Sequence, residues 1–388
     1  MVQSNMPFLA QLPSPEFRIV KFADVAKQFT SRANPVASDS ATYIGLDNMD
    51  SRRAMVSNWG IDIEMIGTKF KIIKGDILLA RRNPHLRRVQ VAPHSGLFSA
   101  HGMVLRSNSD ALLQEYLFVY LSSADFWEKA NRIAVGSLSK TINWKELAEI
   151  EIPLPSLGFQ KAISELFFQI EESIVKLDAL ELSLKQLRRA YSHQWWLNSP
   201  KVELGLVGEI ITGTTPSTKN SSYWSPEEVA FLTPGDFTGL EISNTSRFVS
   251  KSALKVGRPV TKGCVAVVCI GATLGKVARF RIGGLTNQQI TCVDGLSESD
   301  SLLVTTLLAA DEGQAELWKY AAASTVPQLN KSSFEKIQIP WPDVQTRIEW
   351  SRYSEEIGTT IAATSKEKES LEAIRDFVGS LTVGVANV

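Results

Sequence analysis

The 388-residue sequence is poor in the features that mark secreted, membrane and metal-binding proteins. It has only three cysteines, Cys264, Cys269 and Cys292, and no CxxC spacing, which argues against a zinc site and a disulfide framework. No apolar run reaches the roughly 18 residues needed to cross a bilayer. The N-terminus lacks a basic start and a long apolar core, so it does not look like a secretion signal. We therefore expect a cytoplasmic protein with no membrane contact, whose cysteines are free thiols, with Cys264 and Cys269 buried in a strand.

Sequence motifs of the common enzyme classes are also absent. There is no GxxxxGK[ST] phosphate loop, no GxGxxG after a strand, no GxSxG and no HExxH. The Asn-Pro-Pro-aromatic motif of amino-group DNA methyltransferases does not occur, nor does a convincing nuclease core. The four histidines, His85, His94, His101 and His193, have no metal-ligand spacing. The sequence therefore predicts no catalytic residue and no metal site, and a protein that binds rather than reacts.

The chain has no net charge, because 41 Lys+Arg balance 41 Asp+Glu, but its charges are segregated. Residues 77–109 and 242–293 contain no acidic side chain. The basic residues inside these stretches are Arg81, Arg82, Arg87, Arg88 and Arg106, then Arg247, Lys251, Lys255, Arg258, Lys262, Lys276, Arg279 and Arg281. Because local positive surface rather than net charge attracts phosphates, both stretches are candidates for contact with nucleic acid.

An internal repeat is the clearest feature that the sequence does contain. TINWKELAEIEIPLP at 141–155 corresponds to QLNKSSFEKIQIPWP at 328–342, with an offset of 187 residues. Upstream, 75–80 corresponds to 263–268 at nearly the same offset. Such a duplication predicts two similar structural units and therefore two similar sites.

Both halves follow one plan of short strands, then a helical stretch, then an Ile-x-Ile-Pro-x-Pro strand and a long helix. The strand, helical and long-helix segments are expected at 17–110, 111–132 and 157–197, and again at 202–295, 300–323 and 343–382. The fold class is therefore α+β, with two tandem repeats. The expected divisions are a lead-in at 1–16, a first domain at 17–156, a first helical region at 157–199, a second domain at 200–342 and a second helical region at 343–388.

The long helices carry apolar residues at heptad spacing, such as Ile163, Ile170, Leu177 and Leu184. This spacing predicts that the two helices pack along each other, the alternative being that each lies on its own domain. A helix of about 35 residues spans roughly 50 Å at 1.5 Å per residue, so such a pair could separate two globular units.

The first candidate site is the segment RRNPHLRR, a hairpin-like connection between two strands. Arginine pairs bidentately with guanine and also with phosphate. The alternative is a solvated charged turn, but four arginines without one acid favour DNA contact. The candidates are Arg81, Arg82, Asn83, His85, Arg87 and Arg88.

The second half offers a milder set of candidates around the segments IGATLGK and TNQQI. Asn287 and Gln288 can read adenine bidentately, although they could equally satisfy strand backbone. The remaining candidates are Thr273, Lys276 and Arg279 near the glycines and Thr214, Thr215, Ser217, Lys219 and Asn220 in a polar loop. The loops of the two halves differ in residue type while their flanking strands agree, as expected if the halves read different base sequences.

The doubled arrangement resembles the specificity subunit of Type I restriction–modification systems. The resemblance is carried by Gly75-Asp76-Ile77-Leu78 and Gly263-Cys264-Val265, by the Ile-Pro-x-Pro strands at 152–155 and 339–342, and by Gln160 and Gln345 at the start of the long helices. The sequence departs from the pattern at Cys264, where the first copy has Asp76, and in the polarity of the second helix.

The resemblance implies two target recognition domains, each mixed α/β, that read the halves of a bipartite DNA site. It implies an antiparallel coiled coil that fixes the spacer and docks two modification subunits; restriction subunits can join. S-adenosylmethionine would be bound by the modification subunit and ATP with Mg by the restriction subunit, leaving this chain without a cofactor. The expected docking residues are Ile163, Phe167, Ile170, Ile174, Leu177, Leu184, Ile357 and Leu371.

Two other functions fit parts of the sequence. A tandem-repeat adaptor would join protein partners through its helices and never touch DNA. An enzyme with an unrecognised active site, such as a nuclease, is the third candidate. The two acid-free stretches favour the DNA-reading subunit over the adaptor.

Overall fold

The computed structural model describes residues 16–61, 65–137, 139–322 and 326–383. These residues form two compact units. Unit 1 contains 16–178 and 366–383, and unit 2 lies within 179–365. Each unit combines sheets, short helices and segments of two long helices, so the predicted α+β class with two tandem repeats is confirmed. The finer domain boundaries stay predictions.

Unit 1 is built around two four-stranded sheets and a two-stranded one. Its strands are β1 (Arg18–Lys21), β2 (Ala26–Phe29), β3 (Arg32–Ala33), β4 (Tyr43–Ile44), β5 (Lys69–Ile72), β6 (Ile77–Ala80), β7 (Val89–Val91), β8 (Gly96–Phe98), β9 (Gly102–Ser107) and β10 (Glu151–Leu154). Its helices are α1 (Phe22–Val25), α2 (Gln114–Ser122), α3 (Ala124–Ile133), α4 (Trp144–Ala148) and the first part of α5 (Leu157–Asn198). The sheet orders are β2-β9-β6-β7, β3-β5-β8-β4 and β1-β10.

Unit 2 repeats this plan with one more strand in its main sheet and one fewer in its second sheet. Its strands are β11 (Lys201–Glu203), β12 (Glu209–Thr212), β13 (Val229–Leu232), β14 (Glu241–Ile242), β15 (Phe248–Val249), β16 (Cys264–Val268), β17 (Val277–Phe280), β18 (Leu285–Thr286), β19 (Ile290–Asp294) and β20 (Gln338–Pro340). Its helices are the rest of α5, α6 (Glu298–Ala309), α7 (Asp311–Tyr320), α8 (Lys331–Glu335) and most of α9 (Val344–Ser380). The sheet orders are β12-β19-β16-β17-β14, β15-β13-β18 and β11-β20.

The central strand of each main sheet is buried on both faces, which is why its sequence is continuously apolar. In β6, Ile77 and Leu79 enter one hydrophobic core while Leu78 and Ala80 enter another. In β16 the side chains divide between two cores in the same alternating way. Side chains of a strand alternate between faces, so one short apolar run supplies two cores at once.

Backbone hydrogen bonds confirm the repeat predicted from the sequence. The amide of Ile142 donates to the carbonyl of Arg81 at 2.9 Å, and that of Leu329 donates to the carbonyl of Cys269 at 2.8 Å. These two bonds occupy equivalent places, one on each side of the duplication. The predicted helical stretches differ in one respect, because each is divided into two helices by a residue in extended conformation, Ser123 or Ala310.

The three cysteines are free thiols, as predicted, and all three are buried. Cys264 and Cys292 lie in adjacent strands, β16 and β19. Burial raises the pKa of Cys269 to about 11, because a thiolate is poorly solvated there. These side chains therefore behave as small apolar residues of the core.

The long helices pair antiparallel. In unit 1 the last turns of α9 meet the first half of α5, where Val378 is buried in the same core as Ile170 and Ile174. In unit 2 the first turns of α9 meet the second half of α5, where the rings of Trp195 and Trp350 stack at 4.4 Å between centroids. In the part of the chain that the structure describes, no helix is both long enough and apolar enough to span a bilayer.

Candidate nucleic-acid interface

The arginine loop, residues 81–88, connects β6 to β7 as a closed hairpin. The amide of Ala80 donates to the carbonyl of Arg88 at 2.9 Å, and Pro84–Leu86 forms a single 3₁₀ turn between them. Asn83 and Arg87 flank this turn with positive φ angles of 54° and 49°. Asparagine adopts this left-handed conformation readily, whereas arginine does so at a cost in strain. The turn therefore holds Arg87 in a conformation that its side chain does not itself favour.

The base of the loop is anchored by the segment 139–142. The amide of Asn83 donates to the carbonyl of Lys140 at 2.9 Å, and the hydroxyl of Ser139 lies 3.2 Å from Oδ1 of Asn83. Together with the bond from Ile142 to Arg81, these contacts fix the loop backbone. The arginine side chains are thus presented from a firm support rather than from a free turn.

The four arginines of the loop do different things. Arg88 is half-buried, and its Nη1 donates to the carbonyl of Leu46 at 2.8 Å, so it holds the loop against the 3₁₀ turn that follows β4. Arg82 and Arg87 are exposed, as is His85, while Arg81 is half-buried. Sequence reasoning predicted six contact residues here, and the structure leaves Arg82, His85 and Arg87 most accessible to a ligand.

His101 lies close to Arg81 and Arg82 and was missed as a site residue. Burial and the positive charges of Arg82, Arg81 and Lys69 lower the pKa of its imidazole. At neutral pH the ring is therefore neutral and able both to donate and to accept a hydrogen bond. His101 lies within the acid-free stretch 77–109, which was the sequence signal that could have found it.

In unit 2 the structure brings three of the predicted residues together. The hydroxyl of Thr215 donates to Oε1 of Gln288 at 2.6 Å, and Asn287 lies next to Gln288 at the end of β18. The segments approach so closely at Gly213 that a Cβ there would lie 2.3 Å from the carbonyl oxygen of Asn287. Only glycine permits this approach, so Gly213 sets the position of the pair.

The glycine loop of IGATLGK reaches the same cluster. Gly271 has a φ of 98°, and a Cβ there would lie 3.7 Å from Nε2 of Gln289. The side chain of Gln289 accepts from Nδ2 of Asn287 at 3.0 Å. The two candidate segments of this half, separate in sequence, therefore form one polar surface.

The other predicted contact residues of unit 2 differ in their exposure and in their hydrogen bonds. Nζ of Lys276 donates to the carbonyl of Phe237 at 3.3 Å, while most of the side chain is exposed; Thr273 is half-buried in the turn before it. Oδ1 of Asn220 caps a short 3₁₀ turn, so part of its hydrogen-bonding capacity is used locally. The remaining members are Thr214, half-buried, and Ser217 and Lys219, both exposed.

The structure corrects the prediction for Arg279. Its side chain is only 5% exposed, and its guanidinium pairs with Glu241 and with Glu298, the latter at 2.9 Å. Both carboxylates lie outside the acid-free stretch 242–293, so the sequence pattern concealed them. The guanidinium of Arg279 is therefore engaged by carboxylates of unit 2, in contrast to the free contact residue that the sequence predicted.

The structure also corrects four of the predicted docking residues. Ile163, Phe167, Ile170 and Ile174 are buried in the core of unit 1, so they pack within the chain rather than against a partner. The other four are half-buried and are Leu177, Leu184, Ile357 and Leu371. The apolar residues at these heptad positions are covered in the folded chain. They therefore do not form a free surface for docking.

Exposed apolar side chains occur elsewhere on α5. Val175, in the part of α5 that belongs to unit 1, is 53% exposed, and Leu182, in the part that belongs to unit 2, is 58% exposed. The sequence signal that could have found them is a second apolar heptad, out of phase with the first. They are better candidates for partner contact than the buried seam.

The two glutamines that open the long helices differ in environment. Gln160 is fully buried, accepts from the amide of Leu113 at 2.9 Å and donates to the carbonyl of Ala111 at 2.7 Å. Gln345 is exposed and donates to Glu349 at 3.2 Å. The duplication therefore preserves the residue at this position but not its packing.

Comparison with known proteins follows the same two halves. A family model described as the Type I restriction modification DNA specificity domain matches residues 29–184 and again residues 198–373.

Two curated relatives share part of the sequence. The chain is 23% identical over 203 residues to the Type I restriction enzyme EcoDI specificity subunit of Escherichia coli, over 48% of this chain and 44% of that protein. It is 27% identical over 173 residues to the MjaIX specificity subunit of Methanocaldococcus jannaschii, over 43% of this chain and 40% of that protein. These matches span less than half the length of either relative.

A solved structure shares the fold. The crystal structure of a Type-I restriction-modification system S subunit from M. genitalium superposes with a TM-score of 0.65 at 15% identity, over 95% of this chain and 96% of that chain.

Proposed function

Because the chain belongs to the family of Type I restriction–modification DNA specificity domains, we propose that it selects the DNA sequence on which a Type I restriction–modification complex acts. The carrying observation is the pair of polar surfaces, one per unit, on equivalent strand connections. The arginine loop follows β6 in unit 1, and the glycine loop follows β16 in unit 2. The strands that carry the two loops are repeated between the units, whereas the side chains of the loops differ.

Each unit would read half of a bipartite, asymmetric DNA site. In unit 1, Arg82 and its neighbour Arg81 suit guanine, which presents two acceptors in the major groove. In unit 2, Oε1 of Gln288 accepts from Thr215 and still has a second lone pair, while Nε2 can donate. This arrangement suits adenine, which offers one acceptor and one donor.

The helices α5 and α9 would set the spacer between the half-sites and dock two modification subunits, and restriction subunits would join that complex. Exposed apolar side chains such as Val175 and Leu182 support docking on α5. The chain itself would be non-catalytic. The modification subunit would bind S-adenosylmethionine and methylate adenine, and the restriction subunit would bind ATP and Mg, all in the cytoplasm.

The first test is a genome-wide map of methylated adenines in the source organism, with and without this gene. We expect methylation at one bipartite motif to disappear with the gene. Unchanged methylation would remove the proposed function. A gel shift of the chain with its modification subunit distinguishes the adaptor, which would assemble but show absent or salt-insensitive DNA binding.

The second test replaces Arg81 and Arg82 together by alanine. We expect the variant to assemble normally but to lose the sequence preference at one half-site only, because each unit reads its own half. Arg132→Ala is the control, since Arg132 is exposed and pairs with Glu128 on α3. Loss of assembly with an unchanged preference would refute the assignment of the arginine loop.

A further inference from the structure

A cleft of about 320 Å³ lies in unit 1 beside the tip of the arginine loop. Its wall is formed by His85 and Arg87 from the loop, by the segment 51–54, by the start of α3, and by α5 and α9. It differs from the surface around Arg81 and Arg82, neither of which lines it. The arginine loop therefore contributes to two separate surfaces, the one around Arg81 and Arg82 and the cleft.

Most charges inside the cleft are already balanced. Glu171 accepts from Arg375 at 2.6 Å and from the amide of Ala54 at 2.9 Å. Arg53 pairs with Glu372 at 3.1 Å and with Asp178 at 2.5 Å. These ion pairs leave little net charge in the deeper part of the cleft.

The mouth of the cleft is different, because the positive charge of Arg87 is not balanced there. Arg87 and His85 are exposed, and within the described part of the chain neither side chain has a hydrogen-bond or ion-pair partner. Arg87 has a φ of 49°, a conformation that residues with a side chain adopt only at a cost in strain. An arginine in this setting attracts an anion.

The start of α3 adds backbone donors to the same wall. Ser122, Ser123 and Ala124 line the cleft, and α3 continues for ten residues from Ala124. Ser123 caps the helix by accepting from the amide of Phe126 at 3.2 Å. The first amides of the helix and its dipole favour negative charge at this end, and the carboxylate of Asp125 in the first turn is itself paired with Lys129 at 2.8 Å. Helix start and loop tip thus favour the same kind of ligand.

We propose that this cleft binds a phosphate group of the DNA backbone, held by Arg87 and His85 at the mouth and by the start of α3. The inference rests on the proposed function, since it assumes that unit 1 binds DNA. It divides the arginine loop into a base-reading part at Arg81 and Arg82 and a phosphate-binding part at His85 and Arg87. The phosphate contact would orient unit 1 on the duplex without reading sequence.

The two roles predict different behaviour on mutation. Loss of a phosphate contact weakens binding to all sequences equally and lowers the slope of log affinity against log salt by about one. Loss of a base contact changes the preference between sequences instead. A salt titration with two duplexes therefore separates them.

The experiment measures fluorescence anisotropy of the full chain with its modification subunit, on a duplex that contains the recognised site and on a scrambled duplex. Arg87→Asn is the main variant, because asparagine accepts the left-handed backbone of this position. His85→Gln is the second variant, and Arg132→Gln on the exposed face of α3 is the control for loss of one positive charge. Thermal unfolding of each variant establishes that it is folded.

We expect Arg87→Asn to weaken binding to both duplexes by the same several-fold factor and to lower the salt slope by about one, with the control unchanged. A changed preference for the recognised duplex would make Arg87 a base-reading residue and overturn the proposal. Unchanged binding to both duplexes would overturn it while leaving the proposed function intact. Failure of the wild-type complex to bind either duplex would overturn both.

Two further outcomes identify other occupants. If Arg87→Asn impairs assembly with the modification subunit but not DNA binding, the cleft takes an acidic side chain of that protein, and the proposal fails. If inorganic phosphate stabilises the wild type against heat, and Arg87→Asn removes this effect without altering DNA binding, the ligand is free phosphate. That result also excludes the DNA backbone as its source.

Discussion

Two arginines of this chain, the half-buried Arg106 and the buried Arg279, are paired with acids that lie just outside the acid-free stretches. Arg106 pairs with Asp76 at 2.5 Å, and Asp76 directly precedes the first stretch. Arg279 pairs with Glu241, which directly precedes the second stretch. A count of charges along the sequence therefore overstates the positive surface. The exposed cations, such as Arg82 and Lys276, are the ones that can attract DNA.

The burial of Arg279 leads to a prediction about stability. Replacing Arg279 by alanine removes one of the two arginines that pair with Glu241 and Glu298, the other being Arg281, so we expect a loss of roughly 0.5–1.5 kcal/mol in the free energy of unfolding. DNA affinity should be unchanged below the unfolding transition. Denaturant unfolding and anisotropy measure the two quantities. Lys276→Ala is the control, with an expected stability change within about 0.5 kcal/mol. Weaker DNA binding at unchanged stability would restore Arg279 as a contact residue.

The ionisation of His101 reports on the arginines beside it. Burial together with the positive charges of Arg82 and Arg81 lowers the pKa of this imidazole. Replacing both arginines by alanine should raise the pKa towards its ordinary value, although burial still opposes protonation. The imidazole proton shifts in an NMR pH titration, assigned with His101→Gln, measure the change. Lys219→Ala in unit 2 should leave the midpoint where it is. A midpoint that stays fixed in the double variant would show that the arginines do not act on His101.

At the scale of elements, the segment 50–54 is clamped to both long helices in unit 1. The amide of Ala54 donates to Glu171 on α5, and Arg53 pairs with Asp178 on α5 and Glu372 on α9. Although burial opposes their charge, the pKa values of Arg53 and Arg375 are raised by their carboxylate partners. The ion pairs therefore hold a loop of the β-structure in place against the helices.

Glu171 is the centre of this clamp and gives a test of it. Glu171→Gln keeps the shape but removes the charge that Arg375 faces, so we expect a loss of roughly 1–3 kcal/mol in stability. The amide of Ala54 should also exchange its hydrogen faster. Glu172→Gln is a matched control one residue away, because Glu172 is exposed and pairs only with Lys176 in the next turn. Such exposed pairs contribute little to stability, because water and salt screen their attraction. Equal effects of the two substitutions would show that the clamp adds no stability.

The elements show what the sequence could and could not predict. The strands β6 and β16 were predictable because a short, continuous apolar run bounded by turns is typical of a buried strand. The paired helices were predictable from their heptads. The sequence could not predict what each buried side chain packs against. Ile170 lies at a heptad position whether it packs against α9 or against another protein. Arg279 lies 38 residues from Glu241 in sequence, and no local spacing reveals such a pair.

At the scale of the whole molecule, unit 1 is assembled from both ends of the described chain. Val378 is fully buried in the core that also contains Ile170 and Ile174. The hydroxyl of Tyr116 donates to the carbonyl of Thr382 at 3.2 Å. Unit 2, by contrast, comes from the uninterrupted range 179–365. The two units share a plan, but unit 1 is formed by two separate segments of the chain and unit 2 by one continuous segment.

This difference predicts the effect of shortening the chain. A protein that ends at residue 365 lacks Arg375 and Val378, so unit 1 should lose its cooperative unfolding transition while unit 2 keeps its own. Limited proteolysis followed by mass spectrometry should show cleavage within 16–178 and protection within 179–365. A protein that ends at residue 383 retains these contacts and is the control. Equal protection of both units in the shorter protein would show that the end of α9 is dispensable.

Because unit 1 is formed by two separate parts of the chain, its folding during translation has to follow the synthesis of unit 2. The ribosome completes the whole of unit 2 before it synthesises Val378 and the turns around it. Until then, Ile170 and Ile174 on the nascent chain lack their cover, and an uncovered apolar surface is what chaperones bind. Unit 1 can therefore finish folding only after unit 2 has been synthesised, and a stop codon between residues 365 and 378 would leave unit 1 without this part of its core.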